Sequence, residues 1–229
     1  MKKVELIKET QEEFNDILNN NMDIEFLKIW NCKINDYSNL SRLRNLIELE
    51  IFVFDKGHLC YLSELVNLKK LRLIHIPQIQ DLSDISKLIK LEELSLESLP
   101  SWDSSGKTLI FNNLKPIGDL VNLKKLTLMK ARVNEFGLEP LEKMKELEEF
   151  ITDNTFSTYD FARLSVFLPS TKCIYFKPYH EVNYSACGKC GSLKVKLSGL
   201  SSRSIICPRC NIKKMNEHVM EFNNIRASV

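Results

Sequence analysis

Apolar residues return along this chain in one short phrase. The pattern LxxLxL, with substitutions, begins at Ile24, Leu46, Leu68, Leu91, Leu123 and Leu147, and a degenerate copy starts near Ser170. Successive starts lie 22, 22, 23, 32, 24 and 23 residues apart. The apolar triplets are Ile24-Leu27-Ile29, Leu46-Leu49-Ile51, Leu68-Leu71-Leu73, Leu91-Leu94-Leu96, Leu123-Leu126-Leu128 and Leu147-Phe150-Thr152, with Cys173 and Tyr175 in the core slots of the seventh copy. Self-similarity at a fixed short period is the mark of a solenoid. Alternation within each LxL predicts a strand whose leucines face one side. One such strand has nothing to bury them against, whereas stacked neighbours bury them together and form a parallel sheet on the concave face. Leu40 and Leu43 in one repeat, and Ile85 and Leu88 in another, predict short helical or 3₁₀ segments along the other face. Residues 9–19 read as an amphipathic helix through Phe14, Ile17 and Leu18 that caps the N-terminal end. Residues 158–168 read as a second helix covering the last strands through Phe161, Leu164, Phe167 and Leu168.

The repeat resembles the leucine-rich-repeat family, and within it the short repeats of internalins and of the phosphatase-regulator type. The likeness is plainest in Ile76-Pro77-Gln78-Ile79-Gln80-Asp81-Leu82-Ser83-Asp84-Ile85-Ser86-Lys87-Leu88 and covers residues 24–178. The family's consensus asparagine is absent, because Cys32, Phe54, Ile76, Leu99, Ala131 and Thr155 stand in its slot. The turn after each strand should therefore differ from the family's. The resemblance implies an α/β leucine-rich-repeat solenoid and a module that binds protein on its concave side.

Side chains between the leucines face outward and fall into columns. The first is Phe26, Glu48, Lys70, Glu93, Lys125, Glu149 and Lys172, and the second is Lys28, Glu50, Arg72, Ser95, Thr127, Ile151 and Ile174. The first alternates in sign, which predicts a charge ladder between strands about 4.8 Å apart, with each exposed pair contributing ~0–1 kcal/mol. The third column sets Trp30, Phe52 and Ile74 side by side and continues through Glu97, Met129, Asp153 and Phe176. An exposed apolar patch of this kind marks an interaction site, and Trp is enriched at binding hot spots. A cap folded over this edge would bury the patch instead. The expected partner surface is Trp30, Phe52, Ile74, Lys28, Arg72, Met129 and Phe176. Trp102 joins it from the insertion that lengthens the fourth spacing, near residues 100–112. Gly106-Lys107-Thr108 ends like a phosphate loop, but Ser101 stands where the first glycine belongs, so nucleotide binding there is rejected.

Cysteine changes the picture at the C-terminus. Cys187-Gly188-Lys189-Cys190 and Cys207-Pro208-Arg209-Cys210 form two CxxC pairs, the signature of one tetrahedral zinc in a reducing compartment. Leu193-Lys194-Val195-Lys196-Leu197 and Ser204-Ile205-Ile206 read as strands, so residues 184–216 resemble a zinc ribbon. Four sulfur ligands leave no open coordination position, which makes the ion structural. His218 reads as an ordinary surface residue, and Cys32, Cys60 and Cys173 as core or near-core thiols. The domains expected are an N-terminal cap over 1–22, a solenoid of six to seven repeats over 23–179, and the zinc ribbon and tail over 180–229.

Composition adds limits. The apolar fraction of 44% supports a core, and glycine and proline number only seven each. The net charge is +2, but residues 180–229 carry eight Lys/Arg and three Asp/Glu, so a basic tail follows a weakly acidic body. Glu5, Lys8 and Glu9 break any signal-like run, and no stretch is apolar enough for a membrane span. A cytoplasmic protein follows as the expectation. No nucleophile–base, paired-carboxylate or open-metal pattern appears, so neither an enzyme nor a small-molecule substrate is expected. The function expected is a non-catalytic protein-binding module, in its finer form a bacterial immunity or inhibitor protein. The alternative is a nucleic-acid-associated adaptor using Lys189, Lys194, Lys196, Arg203, Arg209, Lys213 and Lys214 of the ribbon.

Overall fold

The structure, a computed structural model, describes residues 2–54, 56–98, 108–199 and 204–229. Its main sheet follows from the repeat. Strands β1 (Lys3–Ile7), β2 (Phe26–Trp30), β3 (Glu48–Phe52), β4 (Lys70–Ile74), β5 (Glu93–Glu97), β7 (Lys125–Met129) and β9 (Glu149–Thr152) pair in parallel, in that order. Equivalent slots stand opposite one another throughout, for example Leu27↔Leu49 and Leu71↔Leu94. The LxL leucines are buried in one continuous core. The returning limbs supply 3₁₀ turns at Ser38–Arg42, Cys60–Leu62, Ser83–Lys87 and Glu139–Leu141, which bury Leu40, Leu62, Ile85 and Leu141.

The segment before β2 holds more than a helix. β1 is a further strand, paired with β2 from Lys3↔Phe26 to Ile7↔Trp30. Val4 and Leu6 thereby take the slots of Leu27 and Ile29. The copy escapes notice in the sequence because Met1 and Val4 replace the leucines of the phrase. Helix α1 (Gln11–Asn20) follows, with Thr10 and Glu13 forming a reciprocal capping box and Phe14 and Leu18 buried.

The missing asparagines are replaced in two ways. After β1, β2, β3, β4 and β7 the chain turns through a left-handed residue, at Lys8, Asn31, Val53, His75 and Lys130. The amides of Lys8, Asn31, Val53 and His75 donate to the carbonyls of Trp30, Phe52, Ile74 and Glu97 on the next strand, at 2.7–3.3 Å. The main chain therefore carries its own ladder around the corner, and Phe54, Ile76 and Ala131 are free to be fully buried. Val53, β-branched with φ +66°, holds a conformation such residues rarely adopt. On the opposite corner asparagine does bridge repeats, with Asn67 Nδ2 donating to Arg44 O at 2.8 Å and Asn122 Nδ2 to Ile89 O at 2.7 Å.

The described end of the insertion is ordered secondary structure. β6 (Leu109–Phe111) pairs in parallel with β8 (Ala131–Val133) and is followed by the short helix α2 (Lys115–Gly118). A Cβ on Gly118 would lie 2.2 Å from the Pro140 carbonyl, so only glycine fits that crossing. Trp102 lies outside the described residues.

Beyond β9 the repeat loses its strand. Lys172 bridges to Glu149, and Ile174–Phe176 is then a 3₁₀ turn with Tyr175 buried. Helix α3 (Thr158–Phe167), capped by Ser157 and Asp160, backs this last repeat. A second sheet follows, of β10 (Tyr179–Ala186), β11 (Leu193–Leu197) and β12 (Ile205–Ile206), antiparallel, then helix α4 (Ile212–Ala227).

Residues at helical spacing make α4 a clasp. Met215 packs with Val195, Leu197 and Ile206 of the small sheet, while Phe222 and Ile225 belong to the solenoid core. His218 is 4% exposed, with Nε2 2.9 Å from Pro178 O. The expectation of a surface histidine is therefore corrected: it lies on the same face as Met215 and Phe222, turned inward. Asn154 fastens the joint by donating to Leu197 O and accepting from Gly199 N. Gly199, at φ +83°, has no room for a Cβ against Thr158. Among the described residues no helix is long and apolar enough to cross a membrane.

Candidate functional site

Two arrangements carry chemistry. One is the concave face, where outward residues stand in register at strand spacing. Lys70 Nζ lies 2.9 Å from Glu93 and 3.9 Å from Glu48, and Lys125 Nζ lies 2.7 Å from Glu149. Hydrogen bonding to Glu93 raises the Lys70 ammonium above its ordinary value, and Glu149 does the same to Lys125. One column inward, Arg72 reaches Glu97 at 2.9 Å and Glu50 at 3.3 Å. Glu50 also accepts from Trp30 Nε1 at 2.7 Å. Burial alone would raise the Glu97 carboxyl, but hydrogen bonds from Arg72 and Ser95 outweigh it and hold it below its usual range. The result is a chain Trp30–Glu50–Arg72–Glu97–Ser95 across four strands. Glu50, Arg72, Ser95 and Glu97 of this chain line a trough of about 390 Å³, together with Phe26, Thr127 and Ile151.

The apolar column is placed differently from its expectation. Phe52 and Ile74 are buried, 4% and 1% exposed, rather than on the surface. The Trp30 ring stacks on Phe52 with centroids 4.7 Å apart. Ile74 stands in register between Phe52 and Glu97, so its neighbours cover it from both sides. Trp30 is left half-buried, held by Glu50 below its edge and by Lys28, whose Nζ is 4.4 Å from the ring centroid. Ile7 extends the patch, 56% exposed beside Trp30, and was hidden in the sequence along with β1. Met129 is half-buried in register with Glu97. Phe176 lies at the far end, half-buried on a 3₁₀ turn, its ring 6.5 Å from Phe150. Neither reaches the Trp30 cluster.

The second arrangement is the four-cysteine cluster. The first turn carries Gly191 at φ +71° and closes with Gly191 N donating to Cys187 O, and Asn211 N donates to Cys207 O in the second. The four Sγ atoms all lie within 4.8 Å of one another. A tetrahedron with Zn–S of about 2.3 Å has S···S edges of about 3.8 Å. Cys187–Cys210, Cys190–Cys207 and Cys190–Cys210 measure 3.8, 3.5 and 3.6 Å. These lengths fit ligation of one ion and are far from an S–S bond of about 2.05 Å. Amides of Lys189 and Cys190 lower the Cys187 thiol, and the Ser192 hydroxyl and amide lower Cys190 to about 6. Cys210, hydrogen-bonded first to Cys190 and then to the other sulfurs, is pushed up to about 12. Four sulfurs this close could hold one metal ion in place of their protons. With zinc bound the site would be coordinatively closed and structural.

Other cysteines form no second cluster among the described residues. Cys32 packs half-buried and accepts from Glu9 N at 3.3 Å. Cys173 packs against the core, and burial pushes its thiol up to about 12. Cys60 is exposed rather than near the core, on an outer 3₁₀ turn, with Sγ 3.0 Å from His58 Nδ1.

No family model matches the chain, and no curated protein matches its sequence. Solved structures do match by fold. Internalin C2 of Listeria monocytogenes is 24% identical over 63% of this chain, with a TM-score of 0.50. The Drosophila Toll–Spatzle complex contributes a chain 15% identical over 75% of this one, with a TM-score of 0.53. The fold is a leucine-rich-repeat solenoid. The chain spans 57% of the internalin C2 chain and 23% of the Toll–Spatzle one. Parallel strands, in-register leucine slots and a continuous repeat core give this leucine-rich-repeat solenoid the fold that the short repeats imply, followed along the chain by a cysteine tetrad.

Proposed function

We propose that this protein is a non-catalytic module that binds a protein partner on the concave face of the solenoid, with Trp30 as the anchor. One observation carries the reading: Trp30 is held in a single pose yet remains accessible. Its ring stacks on Phe52, its Nε1–H is satisfied by Glu50, and Lys28 stands over its face. A large side chain ordered before binding loses little conformational entropy on binding, which favours its use as a hot spot. The paired charges around the trough hold this surface in shape. The four-cysteine centre, in this reading, carries one zinc ion and keeps the C-terminal cap on the solenoid. All seven cysteines are free of disulfides, which supports a reducing, cytoplasmic setting. Blocking a bacterial toxin, as an immunity or inhibitor protein does, is the finer form of the proposal.

Affinity capture with the wild-type chain beside Trp30→Ala, each with and without nuclease, tests it. The expected result is a protein that survives nuclease and is lost with Trp30→Ala. Capture that needs nucleic acid and ignores Trp30 would move the function to the ribbon, where Lys189, Arg209 and Lys213 are exposed.

A further inference from the structure

The concave face is not uniform from end to end. In its middle each base is claimed: Lys70 by Glu93 and Glu48, Arg72 by Glu97 and Glu50, Lys125 by Glu149. At the N-terminal end two lysines make no ion pair among the described residues. Lys3 Nζ lies 5.6 Å from the Phe26 ring centroid, and Lys28 Nζ lies 4.4 Å from that of Trp30. The nearby carboxylates are engaged elsewhere. Glu25 accepts from Lys2 N, Glu48 faces Lys70, and Glu50 takes Trp30 and Arg72. Glu5, in register with Lys28, makes no ion pair among the described residues and is the acid that stands between the two lysines. Two ammoniums and one carboxylate thus surround an apolar patch of Ile7, Phe26 and Trp30.

We infer that the partner presents an acidic segment with a large apolar side chain, the latter resting on Ile7 and Trp30 while its carboxylates meet Lys3 and Lys28. This rests on the concave-face reading above and names the chemistry of the occupant. An ammonium over a ring has already given up part of its water, so pairing it with an incoming carboxylate costs less desolvation. A basic segment would meet two unpaired like charges at the same place. The apolar floor between the cations explains why charge alone would not suffice: only a segment carrying both features covers Ile7 and satisfies the lysines.

The probe is a random-peptide phage library selected on the full chain, followed by synthetic versions of the enriched peptides. Acidic sequences with an aromatic or large aliphatic residue are expected. Their affinity should fall at least roughly tenfold for Lys3→Glu/Lys28→Glu and weaken with added salt, while Lys213→Glu on α4 leaves it unchanged. Lys28→Gln, which keeps the stem over Trp30, should give a smaller loss in the same direction and guards against misfolding of the double reversal. Peptides that need Trp30 but are neutral or basic, or that bind the charge variants as tightly as wild type, overturn the inference and leave concave-face binding standing. Peptides indifferent to Trp30→Ala, or no enrichment over an unrelated protein, overturn both.

Discussion

Phe222→Ala tests how the C-terminal segment is joined to the repeats. Phe222 is fully buried, in the solenoid core rather than in the small sheet's own cluster. Removing a buried Phe side chain costs the transfer of its atoms plus the cavity left behind, about 3–5 kcal/mol. Total stability of a folded protein is about 5–15 kcal/mol, so the loss is a large share of the whole. The assay is urea unfolding followed by tryptophan fluorescence in a Trp102→Phe background, so that Trp30 at the opposite end alone reports. With a slope of about 2–3 kcal/mol/M the midpoint should fall by about 1–2.5 M. Solenoids unfold through coupling between neighbouring repeats, so a cap that belongs to the stack transmits its loss along it. Met220→Ala on the same helix is the control, since Met220 is 63% exposed and surface changes stay within about 0.5 kcal/mol. A Trp30 midpoint that does not move with Phe222→Ala would refute the reasoning and make α4 an independent appendage.

Two further outcomes are expected. Elemental analysis of the purified protein should find one zinc per chain. Stripping it with a strong chelator, or replacing Cys187 by Ser, should lower thermal stability and helical circular dichroism together, whereas unchanged spectra after complete removal would deny the ion a structural role. Glu97, whose carboxyl is held below its ordinary value, binds its proton less readily folded than unfolded. It therefore contributes stability that is full above the unfolded carboxylate range, about 4.3, and is lost as pH falls through the lower folded value. Glu97→Gln should flatten that part of the stability-against-pH curve relative to wild type, and curves of equal slope between pH ~3 and ~5 would show that its partners do not favour the ionised form.

The repeat itself determined the solenoid. Leucines spaced at 22 to 24 residues, with one spacing of 32, and an LxL alternation admit one compact burial, and the register they imply is the one found, strand by strand. The two CxxC pairs likewise determined the cysteine cluster, because tetrahedral thiolate ligation restricts sequence spacing tightly. Local patterns of this kind survive in sequence because each residue's role depends on near neighbours or on a fixed period. Other features depend on neighbours far along the chain, and only the tertiary structure decided them. β1 holds Val4 rather than a leucine, and became visible through its pairing with β2. Phe52 and Ile74 sit in the same column as Trp30, yet burial was set by what the adjacent strands place against them, namely the Trp30 ring and the Glu97 side chain. His218 and Phe222 lie in a helix with many polar residues. Their burial follows from α4 docking against two cores at once, a contact between segments that share no repeat and no spacing.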